Sequence, residues 1–344
     1  MRAMVLAAGL GTRLRPITFD MPKPMVPVLN RPVMEHILRL LAKHGFDRTI
    51  ANLYWFPDLI EGHFGDGSGC GVSLSYSREE ALLGTSGGVR NAADFLGDEF
   101  LVISGDALTD IDLTAMRAFH ESHEGIATLA TKRVEDTTQF GVAITDAEGR
   151  IGGFQEKPQP SEALSDLANC GIYMFRQEIF DFFPAPGTSK AAKPDDPEGF
   201  ADWAMDVFPR LLESDVPFYS HEIDAYWNDV GNLDELREGN FDALTGAVQV
   251  ERVGEMVDGF RSGTPAEDEP DLEGPVLLGP GCEVGDDVRI DGPAVIGDGA
   301  RVGAGSRIKD AIVLPGAEIP VRSVVIGAIL GVRGQVRGPA GTKL

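Results

Sequence analysis

Cysteine is scarce in this chain: three in 344 residues, at 70, 170 and 282. They lie too far apart for a disulfide framework or a metal-ligand spacing. The six histidines are scattered and none follows His221, so a zinc site is not expected. No apolar run approaches the roughly 20 residues that span a bilayer. The first ten residues are apolar apart from Arg2, yet the run breaks into Gly9-Leu10-Gly11-Thr12-Arg13 rather than a signal-peptide cleavage site. A buried first strand in a cytoplasmic protein is expected instead. Cationic charge is also short. Thirty Lys and Arg face 54 Asp and Glu, a net charge of −24. Such a field disfavours nucleic acid and anionic membranes as partners. The balance inverts locally, because residues 1–24 hold Arg2, Arg13, Arg15 and Lys23 against Asp20 alone. An anionic small molecule would be drawn to that stretch.

What is present falls into two halves of different period. Up to about residue 245, strand-like and helix-like segments alternate. Residues 4–8 form a continuous apolar run, as in a strand buried on both faces. Residues 33–44 repeat apolar side chains at helical spacing, with Pro32 placed to open the helix. Residues 49–53, 72–76 and 100–104 read as further strands. The alternation implies an α/β fold, a Rossmann-like mixed but mostly parallel sheet with helices on both faces. Ligands of such sheets sit at the carboxyl ends of the strands, so Gly9 and Asp106 should both lie there. Residues 246–271, which include Thr264-Pro265-Ala266-Glu267-Asp268-Glu269-Pro270, read as a linker. After it, aliphatic residues recur every six positions at Leu272, Leu278, Val284, Ile290, Ile296, Val302, Ile308 and Leu314, and Ile326-Gly327 falls back into phase. Gly follows several of them, at 279, 285, 297 and 303. This predicts a hexapeptide-repeat, left-handed parallel β-helix of roughly three coils over residues 272–344.

The first strand runs into Ala8-Gly9-Leu10-Gly11-Thr12-Arg13-Leu14. A glycine-rich turn there exposes backbone N–H groups and lets phosphates approach. It is neither a P-loop, which needs Gly-Lys-Ser/Thr, nor the dinucleotide fingerprint, which needs a third Gly. Pro22 and Pro24 flank Lys23 and stiffen its backbone. Taken together, residues 6–28 closely resemble the signature of sugar-1-phosphate nucleotidylyltransferases, Gly-x-Gly-x-Arg-Leu-x-Pro-Leu-Thr…Pro-Lys-Pro. Further segments resemble the family's landmarks in order: Gly84-Thr85-Ser86-Gly87, where Ser86 replaces the usual Ala; Gly105-Asp106; Phe140-Gly141-Val142; Glu156-Lys157-Pro158; Asn169-Cys170-Gly171-Ile172-Tyr173; and Trp227-Asn228-Asp229-Val230-Gly231. The resemblance spans residues 1–245, and a repeat domain is a common appendage of the family.

The resemblance implies roles. Ala8, Gly9, Gly11, Thr12 and Arg13 would hold the triphosphate, and Gly84 and Thr85 would face the nucleobase. Asp106 and Asp229 would bind Mg²⁺, as hard oxygen ligands suit it. Gly141, Glu156, Lys157 and Asn169 would contact the sugar phosphate, and Arg13, Lys23 and Lys157 would serve as catalytic cations. The implied reaction joins a nucleoside triphosphate to a hexose 1-phosphate and releases pyrophosphate. The resemblance is greatest to mannose-1-phosphate guanylyltransferases, with glucose-1-phosphate uridylyl- or thymidylyltransferases close behind. Two other classes compete. Hexapeptide coils often host acyl transfer, but that chemistry usually needs a His base, and none follows His221. A non-catalytic homologue should show erosion at Arg13, Lys23, Asp106 or Lys157, and all four are present. The coil's exposed edges suggest a homo-oligomer. The segment 200–209 reads as a helix packed over the sheet, and Asp110 or Asp112 as helix-starting carboxylates.

Overall fold

The computed structural model describes residues 1–257 and 270–337. The stretch 258–269 of the expected linker and the tail 338–344 lie outside the described residues. The chain divides into two compact units. The first comprises Met1–Leu10, Pro22–Pro24 and Ile37–Asp229; the second comprises Gly11–Met21, Met25–His36 and the chain from Val230.

The first unit is built on a nine-stranded sheet. Strand Arg2–Leu6 lies in its middle, parallel to Arg48–Leu53 on one side and Glu99–Ser104 on the other. Its interior residues Ala3, Met4 and Val5 have no exposed surface, as a strand covered on both faces requires. Ser73–Arg78 extends the parallel run beyond Arg48–Leu53. On the other flank the direction changes: Leu167–Arg176 pairs antiparallel with Glu99–Ser104 and Ala127–Arg133, and Gly141–Thr145 pairs antiparallel with Ile151–Glu156. The sheet is therefore mixed, with its parallel half toward the amino-terminal strands. Strand Arg2–Leu6 ends two residues earlier than its apolar run suggests, because Ala7 and Ala8 already belong to the turn.

One sheet face is closed by aromatic packing. Phe100, Phe175, Phe208 and Phe218 are fully buried, and Trp203 nearly so. The Phe175 and Trp203 rings stack with centroids 4.6 Å apart. Burial of each such ring contributes about 1.5–3 kcal/mol. The segment expected as a covering helix is a π turn, Trp203–Val207, followed by helix Phe208–Glu213 with Pro209 in its first turn. Asp202 starts it by accepting hydrogen bonds from the Ala204 and Met205 N–H groups. Asp112 caps helix Leu113–Glu121 in the same way, whereas Asp110 instead accepts the Tyr226 N–H at 2.9 Å.

In the second unit, short strands from Asp271 to Gly331 stack into three parallel ladders, and Gly334–Arg337 then pairs antiparallel with Ile329–Gly331. Leu272, Ile290 and Ile308 are in register, eighteen positions apart, and all are buried. Val284 and Val302 share a second ladder, and Val276–Leu278 and Ala294–Ile296 a third. The sixfold period thus sets three faces per coil. It slips once. The corner between Lys309 and Ile312 is one residue shorter than that between Asp291 and Val295, and Asp310 turns it at φ +50. Ile308 therefore pairs with Val325, which is buried, while Ile326 is 47% exposed. The expectation that Ile326 returns to phase is corrected by that deletion, and Val313 rather than Leu314 pairs with Ile296.

Candidate active site

The parallel strands of the first unit end together. Leu6 is in register with Asn52 on one side and Ser104 on the other, so the turns holding Ala8 and Gly9, and Gly105 and Asp106, leave the sheet side by side. The Gly105 N–H donates to the Leu6 carbonyl at 2.8 Å, and a Cβ at Gly105 would meet that oxygen at 2.5 Å. Only glycine lets the second turn press against the first strand.

That close approach sets the following carboxylate. Asp106 forms an ion pair with Lys23, whose side chain is 12% exposed against 20% for Asp106. Lys23 opens the 3₁₀ turn Lys23–Met25, and Pro22 and Pro24 restrict the backbone on either side. Asp106 Oδ2 takes the ammonium, while Oδ1 is buried with no hydrogen-bond partner among the described residues. A buried carboxylate oxygen left without a partner costs free energy. This is the donor expected of a site that takes a cation, and it fits Mg²⁺, a hard ion that uses one or two carboxylates together with substrate phosphates. No group of three or more His, Cys, Asp or Glu side chains able to cage a metal occurs among the described residues. The strand before the second expected ligand, Trp227–Asn228, runs antiparallel to Leu108–Thr109, with Asn228 opposite Leu108. Asp229 follows directly on that two-residue pairing.

The residues expected at a sugar phosphate also share one place. Glu156 pairs with Gly141, and Ala168 with Val142, so Asn169 stands at the Gly141 level on the opposite side. Glu156 and Lys157 are about half exposed, with Lys157 Nζ 3.7 Å from Glu156 Oε1. Lys157 holds a left-handed backbone at φ +47, and its N–H donates to the Phe140 carbonyl at 3.0 Å. Asn169 is partly engaged: its Nδ2 donates to the Tyr173 hydroxyl and its Oδ1 accepts the Gly171 N–H. Burial drives the Tyr173 phenol upward, so it stays protonated. Cys170 is a buried free thiol, also raised by burial, and inert.

The segment expected at the nucleobase is helix Gly84–Asn91. Gly84 adopts φ +75 with its Cα against the Ala201 carbonyl, leaving no room for a Cβ. The Ser86 and Gly87 N–H groups both donate to that carbonyl at 3.1 Å. The Thr85 hydroxyl donates to Asp202 Oδ2 at 2.8 Å and accepts the Trp203 N–H at 3.1 Å. Thr85 thus spends its side chain on holding the Trp203 turn.

In the second unit, Gly11 adopts φ 60 ahead of the 3₁₀ turn Thr12–Leu14. Its carbonyl accepts the Leu14 N–H at 3.0 Å and the Thr18 hydroxyl at 2.7 Å. Leu14 is buried and anchors the turn, while Thr12 and Arg13 are exposed. The Arg13 guanidinium has no ion-pair partner among the described residues, which leaves its planar fork open to an anion.

Sequence reasoning missed three polar groups behind these segments: Asn52, Glu79 and Asp202. Asn52 carried a signal, since it stands between apolar Ala51 and Leu53 near the end of a largely apolar strand, and it is only 3% exposed. Glu79 and Asp202 carried none, because their partners are fixed only by the fold.

Over residues 2–246 the chain matches the nucleotidyl transferase family, and over residues 272–340 the GMPPB C-terminal domain. A UTP–glucose-1-phosphate uridylyltransferase of Synechocystis is 38% identical over 298 residues, 81% of this chain and 74% of that protein. A mannose-1-phosphate guanylyltransferase of Mycobacterium tuberculosis is 35% identical over 71% of this chain and 65% of its own length. A mannose-1-phosphate guanylyltransferase catalytic subunit beta of Danio rerio is 31% identical over 96% of this chain and 86% of its own. Among solved structures, HddC of Yersinia pseudotuberculosis, complexed with GMP-PN, shares the fold with a TM-score of 0.56 at 22% identity, over 70% of this chain and 97% of that one. With its signature turn, its strand-end carboxylate and these matches, the chain belongs to the sugar-1-phosphate nucleotidylyltransferase family and is a nucleotidyltransferase.

Proposed function

We propose that this enzyme joins GTP and mannose 1-phosphate to give GDP-mannose and pyrophosphate. An oxygen of the sugar phosphate attacks the α-phosphorus, the bond from that phosphorus to the β-bridging oxygen breaks, and pyrophosphate leaves with the electron pair. Such a reaction asks the protein to align two anions and absorb charge. Ala8, Gly9, Gly11 and Thr12 offer backbone and hydroxyl donors to the triphosphate. Arg13, exposed and unpaired among the described residues, binds the departing phosphates in bidentate fashion. Lys23 neutralises the α-phosphate, and Lys157, half exposed, draws in the sugar phosphate. Glu156 accepts from sugar hydroxyls, and Asn169 uses the donor and acceptor capacity its two hydrogen bonds leave over. Gly84 and Thr85 meet the base through their backbone. Asp106 and Asp229 would hold Mg²⁺, which when bound neutralises charge on the triphosphate.

The observation that carries this reading is the Lys23–Asp106 pair with its unpartnered buried oxygen beside the glycine turn. Mannose and guanine are favoured by the match of residues 272–340 to the GMPPB C-terminal domain and by the guanylyltransferase relative aligned over 96% of the chain. A second reading, UTP with glucose 1-phosphate, is favoured by the Synechocystis relative at 38% identity. We read residues 1–245 as the catalytic part and the three ladders as a left-handed β-helix serving homo-oligomer assembly. Its last coil exposes Val321, Val324 and Ile326. The test is pyrophosphate release from each common nucleoside triphosphate paired with mannose-, glucose- or galactose 1-phosphate, with Mg²⁺. Release confined to GTP and mannose 1-phosphate supports the first reading, release confined to UTP and glucose 1-phosphate replaces it with the second, and release from no pair refutes both.

A further inference from the structure

The repeat coil does not end as it began. Its last parallel strand, Ile329–Gly331, pairs with Ile312–Val313. The chain then reverses through Val332 and Arg333, so that Gly334–Arg337 returns antiparallel along that strand with Gly331 opposite Gly334. A two-residue turn between paired strands fixes the place of the residues at its tip. This tip carries Arg333 to the amino-terminal loop of the same unit, where its Nη2 donates to Asp20 Oδ1, 313 positions earlier in the chain.

Asp20 closes the loop that the proposed reaction assigns to the triphosphate. Residues 11–20 fold as two 3₁₀ turns, Thr12–Leu14 and Ile17–Phe19, joined at Arg15-Pro16. The Asp20 N–H donates to the Ile17 carbonyl at 3.2 Å and ends the second turn. Two residues back, the buried Thr18 sends its hydroxyl to the Gly11 carbonyl at 2.7 Å and ties the second turn to the first. Holding Asp20 therefore holds the backbone of Gly11, next to Thr12 and Arg13. The partner of Asp20 is also telling. Its own loop offers Arg13 and Arg15, yet among the described residues it pairs with neither. Arg15 lies over the Phe19 ring, 5.1 Å from its centroid. Pairing outward, with the hairpin tip, leaves the Arg13 fork open to phosphate.

We infer that Arg333 is a positioning residue for the nucleotide: the terminal hairpin of the coil holds the triphosphate loop in place through Asp20. The inference rests on the nucleotidyl-transfer reading above and gives the coil a part in binding besides assembly. Both side chains are solvent-accessible, 45% for Asp20 and 75% for Arg333, and an exposed pair adds little to the stability of a fold. Setting the position of an exposed loop needs little. A fivefold change in affinity corresponds to about 1 kcal/mol.

The test uses the full chain and whichever nucleoside triphosphate and sugar phosphate the wild type turns over. Arg333→Glu should raise the KM for the nucleotide about fivefold, while the KM for the sugar phosphate stays within about twofold. Asp20→Arg alone should raise the same parameter, because two cations then repel at the hairpin tip. Combining Asp20→Arg with Arg333→Glu restores an opposite-charge pair and should bring the nucleotide KM back to within about twofold of the wild type. The melting midpoints of all three should stay within about 2 °C of the wild type. An unchanged nucleotide KM in Arg333→Glu, equal rises in both KM values, or no recovery in the combined variant would overturn the inference. So would a lower nucleotide KM in Asp20→Arg, since charge on the loop would then act on the phosphates directly. A larger fall in midpoint in Arg333→Glu would assign the pair to the fold and overturn it too. A wild type that releases no pyrophosphate from any substrate pair fails the nucleotidyl-transfer reading instead, and the two failures are told apart by that control.

Discussion

Replacing Ser86 by Ala is expected to make this protein more stable. Ser86 sits in helix Gly84–Asn91 with no exposed surface, and its hydroxyl oxygen has no hydrogen-bond partner among the described residues. Its one polar anchor is its backbone N–H, which donates to the Ala201 carbonyl and survives the substitution. A buried hydroxyl without a partner costs about 1–3 kcal/mol. Removing it loses no bond, leaves a gap of one oxygen atom, and adds a few tenths of a kcal/mol of helix propensity. The net gain should be about 1–2 kcal/mol. At about 2–4 °C per kcal/mol for a domain of this order, the melting midpoint should rise about 2–8 °C. Urea unfolding followed by tryptophan fluorescence reads the change, because Trp55, Trp203 and Trp227 all lie in the first unit, which holds Ser86. The initial rate should stay within about twofold, since the segment's backbone is untouched. A midpoint that is unchanged or lower refutes the reasoning and implies that the hydroxyl has a partner, such as an ordered water.

Other expectations follow from the same geometry. Asp106→Asn should fold normally and lose about a hundredfold in kcat, on the order of 2.7 kcal/mol, measured by pyrophosphate release; a folded variant with full turnover would remove Asp106 from the site. Asn240, 1% exposed, accepts the Leu29 N–H and donates to the Pro27 and Leu236 carbonyls. Asn240→Ala should therefore cost about 2–4 kcal/mol by stranding buried backbone groups, read as a lower urea midpoint by circular dichroism; a shift below about 0.5 kcal/mol would contradict that accounting. His120 and His123 share the Thr128 hydroxyl, and burial with the nearby Arg176 charge lowers them to about 3 and about 4 from an ordinary 6.5. Both are neutral when folded and bind protons more readily when unfolded, so stability should decline as pH falls from about 6.5 toward 4. A urea midpoint that stays flat from pH 7 to pH 5 would show that these rings are hydrated and ordinary.

How much of this could be read in advance depended on distance along the chain. The glycine turn, the proline-flanked Lys23 and the strand-ending Gly105-Asp106 are contiguous, so their meaning is carried by neighbouring residues. The strand ends also followed from apolar runs, since a buried parallel strand has no other way to be written. Strand direction beyond Glu99–Ser104 was not legible, because alternation of elements does not tell parallel from antiparallel. The coil was legible as a period, but its slip at Asp310 was not. A one-residue deletion at a corner leaves an aliphatic residue, Ile326, on the old count and moves the buried position to Val325. Thr85 looked available for a ligand; its capture by Asp202, 117 positions later, leaves no local trace. The Asp20–Arg333 pair was hidden for the same reason.

The hairpin that follows Lys23, Pro27–Val28 with Arg31–Pro32, takes its buried amide partner from Asn240, 211 positions downstream of Leu29. A ribosome adding about 5–20 residues per second needs about ten to forty seconds to deliver that asparagine. During synthesis the nascent hairpin must wait that long, with the Leu29 N–H still satisfied by water. A chain released before helix Leu233–Thr245 is made can never complete the hairpin, so the order of translation itself withholds the finished amino-terminal turn until most of the polypeptide exists.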